Sequence, residues 1–114
     1  MKFDEVDSAT IEEALPSLSP RFLALILAIY HSPGCMMTPL ELKSKTKLRS
    51  IHVGLAGKQL AKLCGVDDLG SYVDGGKYHV AFFQMIGPYN DGSWAMNHNL
   101  RGAVKAYLKR NRKA

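Results

Sequence analysis

TPLELKSKTKLRSIHVGLAGKQLAKLCG, residues 38–65, holds two helix starts and one helix stop. Thr38-Pro39-Leu40-Glu41 is a start signal. Threonine caps, proline occupies the first helical position where no N–H is needed, and glutamate at the third position completes a capping box. The helix begun there is expected to run to Lys45 or Thr46, with Leu40 and Leu42 as its apolar anchors. Leu48-Arg49-Ser50 reads as a turn, with Ser50 as cap of a helix over 51–63. Val53, Ala56 or Gly57, Leu60, and Leu63 or Cys64 form that helix's inner face. Gly65 closes it, because glycine takes the left-handed conformation at a helix end without a Cβ penalty. Gly54 and Gly57 cost about 1 kcal/mol each against alanine in a helix interior. Close approach of another backbone or of a ligand is therefore expected at them, with the apolar helix that precedes residue 38 as the preferred neighbour.

That preceding helix starts at Ser19-Pro20, a cap followed by proline, and runs to His31. Its apolar residues lie on nearly every face, so it is central to the core or half of a dimer interface. Ser32-Pro33-Gly34 stops it, and Cys35-Met36-Met37 offers one strand-like rung. Further upstream, residues 1–8 read as a loose acidic lead-in, and Ser8 or Thr10 caps a short helix that Pro16 ends. Downstream of Gly65, residues 67–76 are polar and glycine-containing. YHVAFFQMI (78–86) reads as one buried strand, 87–92 as a turn-rich loop, and SWAM (93–96) as a strand pairing back. A hairpin joining 71–73 to 77–79 is the alternative, and both together make a three-stranded meander. Asn97 or Asn99 caps a last helix to about Asn111, with Leu100, Val104 and Leu108 at four-residue spacing. The expected fold is mainly α with a small antiparallel β-hairpin, divided into a lead-in (1–17) and one domain (18–114).

A chain of 114 residues with 46 % hydrophobic content can bury one core without staples. Its net charge of +5 is unevenly spread. Residues 1–20 hold five acids and one base, whereas from Arg21 onward fourteen bases face five acids, a net of +9. The bases gather in two blocks: Lys43, Lys45, Lys47, Arg49, Lys58 and Lys62, then Arg101, Lys105, Lys109, Arg110, Arg112 and Lys113. Such blocks are solvated helix faces or phosphate-binding surfaces, and their position around two successive helices favours the second.

Cys35 and Cys64 are too few and too separate for a disulfide framework or a zinc site, and both read as reduced core thiols. The four histidines are scattered. No phosphate loop, nucleophile elbow or metal motif is present, and Glu41, the one glutamate beyond residue 13, is accounted for by capping. Neither enzyme activity nor a cofactor is expected. The acidic start is unlike a signal peptide, and the longest apolar run (22–30) is about half a membrane span. A cytoplasmic protein is expected, with no membrane partner.

The stretch 18–65, with its capped apolar helix, its Thr-Pro-Leu-Glu-Leu start and its helix ending in Leu60 to Gly65, resembles the helix-turn-helix core of winged-helix proteins. Residues 78–96 resemble the wing, and the likeness covers about four-fifths of the chain. It implies an α-α-α-β-β-α fold and double-stranded DNA as partner, with helix 51–63 in the major groove. The role so implied is transcriptional regulation or service as a DNA-associated accessory factor. Arg49, Ser50, His52 and Lys58 fit the exposed side of that helix, with Gln59 and Lys62 further along toward the DNA backbone. Lys43, Lys45 and Lys47, then Lys77, and then Arg101, Lys105, Lys109 and Arg110, supply phosphate contacts. The wing loop, 88–92, carries Asp91 and no base, so little help is expected from it. A homodimer on two half-sites fits this design. The alternatives are a winged-helix module that docks on a larger protein complex, and RNA binding through the basic tail and the sheet aromatics Tyr78, Phe82, Phe83, Tyr89 and Trp94. His79, in an apolar strand, reads as a satisfied sheet residue.

Overall fold

A computed structural model describes residues 5–66, 72–74, 77–87 and 92–111. The chain is mainly helical with a small antiparallel sheet. In order the helices are α1 (Ser8–Ala14), α2 (Pro20–His31), α3 (Pro39–Thr46), α4 (Ser50–Leu63) and α5 (His98–Asn111). The strands are β1 (Met36–Met37), β2 (Tyr72–Asp74), β3 (Lys77–Val80), β4 (Phe83–Ile86) and β5 (Ser93–Met96). They lie side by side in the order β1-β5-β4-β3-β2. The rung at Met36–Met37 thus closes the sheet against β5, pairing Met36 with Ala95 and Met37 with Trp94.

Local chemistry explains most helix ends. Thr38 Oγ1 accepts the Glu41 N–H at 3.1 Å while the Thr38 N–H donates to Glu41 Oε1 at 3.0 Å, a complete capping box behind Pro39. Asn97 Oδ1 accepts the Leu100 N–H at 2.8 Å and caps α5. Gly65, at φ 77, ends α4 as expected: its N–H reaches the Lys62 carbonyl, and the Val66 N–H reaches that of Ala61. At α1 and α2 the caps differ from expectation. Asp7, rather than Ser8 or Thr10, caps α1 by accepting the Thr10 N–H at 2.8 Å. Ser19 opens α2 without a side-chain cap, because its side chain is engaged by Gln59 of α4.

The core is one cluster that α2 runs through. Phe22, Leu25, Ile26 and Ile29 are buried, and the helix packs on α3, α4, α5, β1 and β5. The reading of this helix as central to the core is borne out. The segment read as a lead-in contributes Val6, Ile11, Ala14 and Leu15 to the same cluster. Ser8 Oγ donates to the Asn99 carbonyl and Asn99 Nδ2 to that of Val6, both at 2.9 Å, fastening α1 along α5.

The stretch 78–86 is not one strand. It breaks at Ala81-Phe82 into β3 and β4, with Val80 opposite Phe83 across a two-residue turn. Phe82 takes φ 70, a conformation aromatic residues seldom adopt, and its carbonyl accepts the Asn97 N–H at 2.8 Å. The β2–β3 hairpin exists beside the β4–β5 pair, so the two alternatives coexist. This turn also explains Gly57. A Cβ there would overlap the Ala81 carbonyl oxygen, so α4 packs backbone to backbone on the β3–β4 turn, not on α2 as expected. At Gly54 the nearest atom to such a Cβ is Val80 Cγ1 at 4.0 Å, and no comparable demand exists.

Candidate nucleic-acid interface

The basic block of residues 43–62 stands on α3, α4 and the turn between them. Leu42, fully buried, seats α3 on α2, and its neighbours Lys43 and Lys45 are thereby left in solvent. The other expected anchor, Leu40, is 77 % exposed, which corrects that expectation. In a helix of only two turns, one leucine inward leaves the residue two positions earlier on the opposite side.

Side chains fix the turn into α4. Thr46 Oγ1 donates to the Leu42 carbonyl at 2.7 Å and accepts the Leu48 N–H at 3.1 Å. Lys47 takes the left-handed conformation, φ 63, with its N–H on the Lys43 carbonyl. Leu48 plugs into the core. The Arg49 N–H donates to His52 Nδ1 at 2.9 Å, so this imidazole satisfies the helix start and Arg49 holds the cap position expected of Ser50. Ser50, the first residue of α4, accepts the Trp94 indole N–H on its Oγ at 2.9 Å, tying the helix start to β5.

Lys43, Lys45, Lys47, Arg49, Lys58 and Lys62 are all exposed, whereas Ser50, His52 and Gln59 are half-buried. Gln59 Oε1 accepts the Ser19 N–H at 2.8 Å and its Nε2 donates to Ser19 Oγ at 3.1 Å. It is a clamp between α4 and α2. The solvent face of α4 carries Ile51, 69 % exposed, and Leu55, 41 % exposed, ahead of Lys58 and Lys62. Leu63 is likewise outward, and of the two alternatives for the inner face it is Cys64 that packs against the core. Sequence reasoning missed Ile51 and Leu55. The signal was available: with Val53, Ala56, Leu60 and Ala61 inward, residues 51, 55, 58 and 62 fall together on the other side.

The described bases of the second block stand on α5. Arg101, Lys105 and Lys109 are exposed on α5, and Arg110 forms an ion pair with Glu12 of α1. The acid-bearing α1 packs on both α4 and α5. Lys77 opens β3 opposite Asp74. Its side chain, those of Tyr78 and His79, the residues Tyr89, Asp91, Arg112 and Lys113, and most of the loop 88–92 lie outside the described residues.

Trp94, Phe82 and Phe83 are buried, so these three rings form core and not a stacking platform, which corrects that part of the RNA alternative. Cys35 and Cys64 are free and half-buried. Burial, with the Asp7 charge adding to it, pushes the Cys64 thiol above its ordinary value and keeps it protonated. Among the described residues no group of three His, Cys, Asp or Glu is placed to hold a metal ion, and no helix is long and apolar enough to cross a membrane. Set against known protein families, curated proteins and solved structures, the chain matches none of them.

Proposed function

We propose that this is a double-stranded DNA-binding protein of winged helix-turn-helix design, with α4 in the major groove and the bases of α3 on flanking phosphates. The observation that carries the reading is the run 42–66, which contains six bases and no acid, all six bases exposed along two successive helices. Such a surface releases counterions from a duplex without internal repulsion of phosphates. A helix about 10–12 Å across matches a groove about 12 Å wide. The order α2, β1, α3, turn, α4, then the antiparallel strands β2 to β5 and the final helix α5 supports the same design. Its biological role is transcriptional regulation or service as an accessory factor on DNA. One small module binds modestly, so two copies on neighbouring half-sites are part of the proposal.

The two basic blocks provide the test. Replacing Arg49 and Lys58 with alanine is expected to weaken duplex binding roughly tenfold or more, since each loses a charge-assisted contact. Replacing Lys105 and Lys109, which stand on α5, is expected to weaken it less. Equal or absent effects from the first pair would remove α4 from the interface. The exposure of Leu40, Ile51 and Leu55 favours a second reading, a module that docks on another protein. Absence of nucleic-acid binding near physiological salt would select it.

A further inference from the structure

The front half of the solvent face of α4 is apolar, and its chemistry points to what it touches. Ile51 and Leu55, one turn apart, stand exposed between Arg49 on one side and Lys58 and Lys62 on the other. The polar residues of the same turn are not free for this face: Ser50 holds the Trp94 indole, and His52 Nδ1 holds the Arg49 N–H. Any surface meeting this part of α4 must therefore be apolar at its centre and anionic around it. The bracketing bases, with no acid among residues 42–66, match a polyanion better than an apolar protein patch. On a duplex, the apolar group offered in the major groove is the thymine 5-methyl.

We propose that Ile51 and Leu55 read thymine methyl groups, so that the target duplex carries two thymines within the footprint of α4. One helical turn advances about 6 Å, which sets those thymines one or two base steps apart. This inference rests on the duplex-DNA reading given above, and it assigns sequence preference to the two residues least suited to hold phosphate.

The experiment selects bound duplexes from a random pool and then replaces each thymidine of the selected site with deoxyuridine, which lacks only the methyl. Loss of about three- to fourfold in affinity is expected at two positions, the worth of one buried methyl. Ile51→Ala is expected to abolish the thymidine preference at one position and Leu55→Ala at the other. Both side chains are exposed and alanine favours helix, so the variants keep the fold, as circular dichroism would check. A selected duplex bound equally well with uracil throughout would overturn the inference and leave the DNA reading standing. So would alanine variants that keep the full thymidine preference. Failure to recover any duplex would overturn both.

Discussion

Lys47 serves two demands that pull in different directions. Its backbone sits at φ 63, where glycine carries no Cβ penalty, yet the position presents a base to solvent. Lys47→Gly is expected to raise stability by about 0.5–1 kcal/mol while weakening duplex binding. Urea denaturation and a binding titration on the same sample read both effects. The α4 glycines form a matched pair of opposite sign. At Gly54 a Cβ meets only Val80 Cγ1 at 4.0 Å, so Gly54→Ala is expected to stabilise by about 0.5–1 kcal/mol. At Gly57 the same change drives a Cβ into the Ala81 carbonyl, and the turn must move. A net loss of about 1–3 kcal/mol is expected despite the helix propensity gained.

Among the elements, one helix start was fully legible in the sequence, whereas the caps of α1 and α4 fell ahead of those read, on Asp7 and Arg49. The Thr38–Glu41 box spans three residues and forms as read. Ser19 holds the N-cap position as read, but its side chain is taken by Gln59, forty residues away. The same distance hid Gln59, which looked like a candidate DNA contact and is a helix clamp. Gln59→Ala is expected to cost about 1–3 kcal/mol by leaving the Ser19 groups without their bonds to α4, seen as a lower denaturation midpoint. The break at Ala81-Phe82 had no local sign, since neither residue is a breaker. Gly57 beneath the turn and the Asn97 N–H on the Phe82 carbonyl hold it, and both are remote in sequence. The caps also set an acid response. The Thr10 and Thr38 amides, helped by their hydroxyls, hold the Asp7 and Glu41 carboxyls below their ordinary values. A carboxyl lowered on folding stabilises above its unfolded value and loses that contribution as pH falls through the folded one. The melting difference between wild type and Glu41→Ala is therefore expected to shrink between about pH 6 and about pH 3.

At the scale of the whole molecule, one core joins all five helices and the sheet, and charge is segregated around it. The bases of α3 and α4 are exposed, and α1 packs on both α4 and α5. The sequence revealed the two basic blocks but not the acid-bearing helix that packs on α4 and α5, because that arrangement depends on α1 docking through Val6, Ser8 and Asn99. A duplex held by α3 and α4 alone is contacted by fewer phosphates than the total charge suggests. The most direct measurement is the affinity for duplex DNA across a series of salt concentrations. A straight line of log affinity against log salt, with a slope of about −4 to −5 for each bound copy, is the predicted result for six exposed bases. A slope near zero, or no binding at physiological salt, would contradict the account.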